Sequence, residues 1–206
     1  LKVGIINYKM GNLKSVYNAL TCLGNEPVII TSPKELDDCS KIILPGVGAF
    51  GQAMENLTKE GWVERLHKNV IRDGKLFLGI CLGMQLVATL GTEFGNCNGL
   101  DWIKGTVQKL ESSHKDFKLP HIGWNTVRFL KKDGLYKNMG DSADFYFVNS
   151  FAMVPEKKEV ISGLTDYFSD FVSSIENENI YATQYHPEKS QKAGFKVFQN
   201  FLEMKG

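Results

Sequence analysis

Two short runs of this chain carry residue types that do chemistry. In Leu76-Phe77-Leu78-Gly79-Ile80-Cys81-Leu82-Gly83-Met84-Gln85, an apolar strand-like stretch leads into Gly-x-Cys-x-Gly, and a helical pattern is expected to follow. Glycine on both sides of Cys81 leaves room for a tight, strained strand-to-helix turn with the cysteine at its tip. A helix N-terminus beneath the sulfur would favour a thiolate through its N–H groups and dipole. Far downstream lies Gln184-Tyr185-His186-Pro187-Glu188. A free thiol has a pKa of about 8.5 and needs a base or a positive neighbour at neutral pH. His186 can take that proton and return it to a leaving group. Glu188 can hold the imidazole in one tautomer and stabilise its charged form. Pro187 biases His186 toward extended backbone, where residues two apart point to the same side. The set predicts a cysteine-dependent acyl transfer enzyme with Cys81, His186 and Glu188 as its catalytic residues.

A third run, Pro45-Gly46-Val47-Gly48, follows the apolar stretch ending at Leu44. Two glycines in a loop let backbone N–H groups approach a ligand closely. An oxyanion formed by attack of Cys81 needs such donors, and the expected ones are the N–H of Leu82 and one from the Val47–Gly48 region. Taken singly, each run has a blander reading: a packed small hydrophobe, a surface loop, a turn. Their joint occurrence at expected strand ends carries the case. His67, His114 and His121 are read as surface or structural residues.

The elements that must position these residues are legible in the pattern. Val3 to Asn7, Val28 to Thr31, Lys41 to Leu44 and Lys75 to Ile80 read as apolar strands. Helical spacing spans Asn12 to Leu23, and one or two helices span Gln52 to Arg72. Near-continuous apolar strands separated by helices predict an α/β fold with a mostly parallel central sheet covered on both faces. Such sheets place ligands beyond the carboxyl ends of their strands. In the second half, Thr106–Leu110, Asn125–Phe129, Phe145–Val148 and Ile180–Gln184 read as strands of an antiparallel extension on the same sheet. A final helix is expected over Gly194 to Met204, packed back on the sheet. Residues 1–206 read as a single domain.

Composition narrows the class. With 206 residues and 43% hydrophobic content, one sizeable core is possible. A net charge of +1 gives no bulk attraction to nucleic acid or anionic membrane. No apolar run approaches a membrane span, and Leu1 to Ile6 is strand-like, not a secretory signal. Cys22, Cys39, Cys81 and Cys97 show no metal-ligand spacing. Free thiols and an intracellular, cytoplasmic protein are the simplest reading. Cys22 and Cys39 are expected to be buried or half-buried apolar residues.

The motifs resemble those of the triad-type, class I glutamine amidotransferases, across nearly the whole chain. Tyr8-Lys9-Met10-Gly11-Asn12-Leu13-Lys14-Ser15, Leu44-Pro45-Gly46-Val47-Gly48, Gly79-Ile80-Cys81-Leu82-Gly83-Met84-Gln85, Leu119-Pro120-His121-Ile122-Gly123-Trp124-Asn125 and Gln184-Tyr185-His186-Pro187-Glu188-Lys189-Ser190 are similar to one subfamily, the glutaminase subunits of imidazole glycerol phosphate synthase. The resemblance implies hydrolysis of L-glutamine to glutamate and ammonia through a γ-glutamyl thioester on Cys81, without a cofactor. It implies glutamine held by Val47, Gly48, Leu82, Gln85, Ser150 and Phe151. It implies a heterodimer with a (β/α)₈-barrel cyclase subunit that receives the ammonia, with Trp124 and Asn125 toward that partner. The chain departs from the pattern at Asn149, where the subfamily usually has histidine, at Phe151, where it has tyrosine, and at Asn7, where aspartate is common. Asn149 keeps hydrogen-bonding capacity and loses the imidazole. These departures keep open a sister branch, in which similar glutaminases supply ATP-dependent enzymes that aminate sugars for surface glycans. A stand-alone cysteine hydrolase and a non-catalytic regulatory module are the other readings. The intact Cys81, His186 and Glu188 argue against the last.

Overall fold

A computed structural model describes residues 2–205. Leu1, at the head of the strand-like N-terminal run, lies outside them. Strand β1 (Val3–Ile6) leads to α1 (Leu13–Cys22), whose N-terminus is capped by the Asn12 side chain accepting from the Ser15 N–H. Then come β2 (Val28–Ile30), β3 (Lys41–Gly46), α2 (Phe50–Lys59), α3 (Trp62–Leu66), which runs on as a π turn to Arg72, and β4 (Leu76–Cys81). One helical turn, α4 (Leu82–Gln85), precedes β5 (Ala88–Gly91) and β6 (Cys97–Asn98). The second half holds β7 (Ile103–Lys109), β8 (His121–Phe129), β9 (Ser142–Asn149), β10 (Phe151–Pro155), β11 (Ile161–Asp166), β12 (Asp170–Asn177), β13 (Ile180–Thr183) and α5 (Gln191–Glu203).

The main sheet has nine strands in the order β2-β1-β3-β4-β13-β12-β11-β8-β9. Pairing is parallel from β2 to β13 and antiparallel from β13 to β9. The parallel strands alternate their apolar side chains between two cores. Val3, Ile5, Ile43, Leu78 and Ile80 pack with Val16 and Leu20 of α1 and Val197, Phe198 and Phe201 of α5. Ile6, Ile42, Leu44 and Phe77 pack on the other side with Phe50, Leu57, Trp62 and Leu66 of α2 and α3. Both faces being covered is why these strands read as continuous apolar runs. The end of α5 is tied to the sheet by buried Lys41, whose Nζ donates to the carbonyls of Phe201, Leu202 and Met204 at 2.6–2.8 Å. These are helix-end carbonyls without intrahelical partners.

The antiparallel extension is present, with one correction. Strand β7, containing Thr106, belongs to a separate four-stranded sheet, β10-β7-β5-β6, which the sequence pattern did not separate from the main one. The helix expected after Cys81 also stops after one turn. The carbonyls that would continue it are taken by the returning chain: Leu86 O accepts from Leu100 N, and Val87 O from Trp102 N and Ile103 N, at 2.8–3.0 Å. The chain therefore leaves the turn as β5. Cys39 is buried as expected, whereas Cys22, at the end of α1, is exposed.

Glu176 on β12 is buried beside the turn at Gly134 and accepts the Leu135 N–H at 3.1 Å. Burial pushes its carboxyl up to about 7, against the pull of that hydrogen bond and of Lys131. A raised acid stabilises the fold fully below its unfolded value of 4.5 and loses that contribution as the pH rises through about 7. Glu176→Gln should leave urea stability nearly unchanged at pH 4 and raise it at pH 8, by up to ~3 kcal/mol. Equal effects at the two pH values would contradict a buried, uptitrated carboxyl.

Candidate active site

Neighbouring strands bring the chemical residues together. Strand β4 lies between β3 and β13, all parallel, with Gly46 opposite Cys81 and Thr183 opposite Ile80. Gln184, one residue past β13, is thereby set beside Cys81. The strand β3 is longer than the sequence pattern suggests, since Pro45 and Gly46 pair with β4 and the loop starts at Val47. Pairing of β3 with β1 has already ended at Ile43, which leaves Pro45 with a free side on which its missing donor is tolerated.

The turn at Cys81 is strained as its glycines imply. Cys81 has φ 55° and ψ −108°, a conformation that L residues rarely adopt. Gly79 and Gly83 make it possible. A Cβ on Gly83 would lie 1.9 Å from the Leu44 carbonyl oxygen, and one on Gly79 would lie 2.5 Å from the Gly83 oxygen. The elbow is folded against β3 at backbone contact distance. With only one turn of helix beneath the sulfur, the cumulative dipole expected from the sequence is small. What remains is local: the N–H of Leu82, the first of α4, has no helical partner by geometry.

His186 Nδ1 lies 2.7 Å from Glu188 Oε1, and both side chains are 3% exposed or less. His186 is extended, as its following proline requires, at φ −100° and ψ 95°. Glu188 reaches it differently from the extended register expected. Residues Pro187–Lys189 form a 3₁₀ turn, with Lys189 N bonded to His186 O, and the turn curls the carboxylate back under the ring. Burial works against the charged imidazole, but hydrogen bonds and charge from Cys81 and Glu188 outweigh it, so the His186 pKa is raised. The proton thus resides on the ring when the sulfur is a thiolate.

The segment is anchored from both sides. Tyr185 points away from the site into the core, where it stacks on Phe145 and its hydroxyl meets Tyr136 at 3.0 Å. His186 N donates to the Tyr146 carbonyl of β9, and Ser190 Oγ donates to His186 O at 2.6 Å while accepting the Tyr146 N–H. The end of β9 closes the site: the Val148 carbonyl stands 3.9 Å from Cys81 Sγ.

The residues expected to hold substrate converge only in part. Leu82 and Gln85 lie on α4, and Gln85 Nε2 donates to the carbonyl of Phe151 at 3.0 Å. Ser150 lies between β9 and β10, its carbonyl bonded to Leu110 N. Val47 is 43% exposed, and its N–H is committed to the Met10 carbonyl at 2.9 Å. Gly48, at φ 102°, has an N–H without a partner among the described residues. The expected loop donor is therefore available from Gly48 and not from Val47. His67 and His114 are exposed, while His121 is buried in the site wall, opposite Asn149 across β8 and β9. Asn149 Nδ2 donates to the Phe151 carbonyl at 3.1 Å. Among the described residues, no group of three or more His, Cys, Asp or Glu is placed to hold a metal ion, and no helix is long and apolar enough to cross a membrane.

Sequence reasoning gave no role to Gln184, Ser190 or Tyr8, although all three sit within runs it singled out. The Tyr8 hydroxyl is fully buried without a partner among the described residues, in the space a Gly46 side chain would fill. Burial and nearby Cys81 hold it firmly neutral.

The model of the class I glutamine amidotransferase family matches residues 5–204. The chain belongs to that family. At full length it is 45% identical to the imidazole glycerol phosphate synthase subunit HisH 1 of Campylobacter jejuni strain 81-176, over 98% of this chain and 100% of that one. It is 39% identical to the subunit HisH of Pelagibacter ubique, over 99% and 100%. Among solved structures, PurLQS from Thermotoga maritima superposes with a TM-score of 0.76 at 22% identity, over 98% of this chain and 97% of that one. The glutaminase domain of Trypanosoma brucei CTPS does so with a TM-score of 0.68 at 14% identity, over 100% and 95%. At those identities the likeness is one of fold.

The elbow geometry makes a sharp stability prediction. Gly83→Ala forces a methyl group into the Leu44 carbonyl, and the lost stability should exceed ~2 kcal/mol in denaturant melts. A change below ~0.5 kcal/mol would mean that the elbow does not pack against β3 as described.

Proposed function

We propose that this chain is the glutaminase subunit of an imidazole glycerol phosphate synthase, hydrolysing L-glutamine to glutamate and ammonia. The observation that carries the reading is the His186–Glu188 pair, 2.7 Å apart and buried, held beside a cysteine on a strained elbow. The family supports glutamine as the substrate, and 39–45% identity over nearly the whole chain to subunits of imidazole glycerol phosphate synthase supports the particular enzyme.

In this reading the Cys81 thiolate attacks the γ-carbonyl carbon of glutamine. The oxyanion is met by the N–H groups of Leu82 and Gly48. His186, as imidazolium, protonates the departing ammonia and then, as base, activates the water that cleaves the thioester. Glu188 holds the ring by its Nδ1 and compensates its charge. In the same reading Gln85, Ser150, Phe151, Val47 and Gly48 hold the glutamine.

Ammonia is passed to a partner subunit, which we take to be a (β/α)₈-barrel cyclase forming a heterodimer with this chain in the cytoplasm. A surface suited to it lies next to the catalytic turn. Ile122 and Trp124 stand on the outward face of β8, 59% and 50% exposed, and Trp124 meets the ring of Tyr146 edge-on. Lys189, next to Glu188, lies over the same tyrosine ring.

Cys81→Ala should abolish glutamine-dependent synthesis by the reconstituted heterodimer while sparing synthesis from added ammonium salt. Retained glutamine turnover would remove Cys81 from the role of nucleophile. His186→Ala should be nearly as damaging, since the two act as a unit. Glu188→Gln should be milder. Stimulation of glutaminase activity by an ATP-dependent sugar-aminating subunit, in place of a barrel cyclase, would reassign the ammonia acceptor.

A further inference from the structure

Three amide groups and one carbonyl in the wall of the site form a chain whose polarity can be read without ambiguity. The Phe151 carbonyl is an acceptor only. It receives Gln85 Nε2 at 3.0 Å and Asn149 Nδ2 at 3.1 Å, so both amides must turn their nitrogen toward it. Gln85 Nε2 also donates, at 3.1 Å, to Gln184. The atom of Gln184 facing Gln85 is therefore its oxygen. Its nitrogen then faces Cys81 Sγ, at 3.7 Å. Inverting Gln184 would set two NH₂ groups against each other, and inverting Gln85 as well would set its oxygen against the Phe151 carbonyl. Neither amide flip is tolerated. Gln184 is fully buried, and its backbone N–H is fixed to Ser173 O at 2.8 Å, so the side chain starts from a rigid point.

We propose that Gln184 is a positioning residue for the nucleophile: its amide donates an N–H to the Cys81 sulfur, in an orientation set by Gln85 and the Phe151 carbonyl. The proposal rests on Cys81 being the nucleophile. Its consequence differs between the two states of the sulfur. A thiol is satisfied on both sides, donating S–H to the Val148 carbonyl at 3.9 Å and accepting from Gln184. When the proton moves to His186, the Val148 carbonyl no longer attracts the sulfur, and Gln184 becomes the donor that holds the anion. A hydrogen bond to a charged acceptor is stronger than one to a neutral acceptor, so the contact favours the thiolate over the thiol. It acts at both ends of the reaction, before attack on the amide and when the thiolate leaves the thioester. The carboxamide of Gln85 keeps its own oxygen free for substrate, because both of its N–H groups are spent on this chain.

The test is alkylation of Cys81 by iodoacetamide in the full chain, followed by mass spectrometry of the Cys81 peptide across pH. The titratable groups facing the sulfur, His186 and Tyr8, with Glu188 behind His186, are left intact. Gln184→Met removes the donor and keeps the side-chain length. Gln184→Glu keeps the acceptor for Gln85 and sets an oxygen against the sulfur. Methionine should slow alkylation at pH 7 by about tenfold and move the midpoint of its pH profile up by about one unit. Glutamate should slow it further. A site merely loosened by the substitution would expose a buried cysteine and would speed the reaction, so the two explanations differ in sign. If the methionine variant fails to fold, the nearly isosteric glutamate variant carries the test alone. Alkylation within twofold of the parent, with an unmoved midpoint, in either folded variant would overturn the proposal. Glutamine turnover by Cys81→Ala tests the underlying reading separately, so the two can fail independently.

Discussion

The pairing of β4 with β13 is the constraint on which the site depends. These strands are far apart in the chain, yet their parallel register sets Thr183 opposite Ile80. One residue further on, the chain has placed Gln184 against Cys81, and two beyond that the imidazole is within reach. A slip of one residue would turn Tyr185 toward the sulfur and His186 into the core. The register is defended where it matters. Tyr185 is fixed in the core by Phe145 and Tyr136, and the backbone of residues 184 and 186 is bonded to Ser173 and Tyr146 on either side.

Glycine is used here to bring backbone to backbone. Gly79 and Gly83 permit the elbow to fold against Leu44, and Gly46 leaves room for the Tyr8 hydroxyl beside Leu82. The result is a nucleophile surrounded by fixed dipoles rather than by water. In such a dry setting each hydrogen bond to a charged atom counts for more than it would at the surface, and each unpaired group costs more. Glu188 illustrates both: one oxygen holds His186, and the other is buried without a partner among the described residues. A carboxylate in that state has a strong reason to keep its imidazolium close.

Local pattern made the parallel half of the fold legible. Its apolar runs and the glycines around Cys81 report the local structure directly. Strand ends also disclosed which residues would meet, because ligands in such sheets gather at carboxyl ends. What the sequence concealed was decided by distant chain. Helix α4 stops where Leu100, Trp102 and Ile103 claim the carbonyls of Leu86 and Val87 that would continue it, and β7 joins a second sheet through β5 and β10. Glu188 reaches His186 by a 3₁₀ turn that no periodicity announces. Which residue of the Val47–Gly48 loop keeps a free N–H was settled by a bond of the Val47 N–H to the Met10 carbonyl. Gln184 carried no signal beyond its place next to Tyr185, since its role comes from Gln85 and from a carbonyl on β10.

Asn149 is best understood from the same accounting of donors. It lies opposite His121, whose burial among Phe147, Tyr167 and Phe171 lowers its pKa and keeps it neutral. A neutral imidazole has one donor and one acceptor. Asn125 Nδ2 faces Nε2 at 3.3 Å and already donates to Asp166 O, so Nε2 is the acceptor and Nδ1 carries the proton. Nδ1 of His121 and Oδ1 of Asn149 are both buried without a hydrogen-bond partner among the described residues, and the Asn149 side chain pulls the His121 pKa up against the effect of burial. The asparagine at this position gives a donor to the Phe151 carbonyl and keeps an unused acceptor in its oxygen, opposite the neutral His121. A neutral histidine likewise offers one donor and one acceptor, so the asparagine keeps the one function that the Phe151 carbonyl uses, a donor.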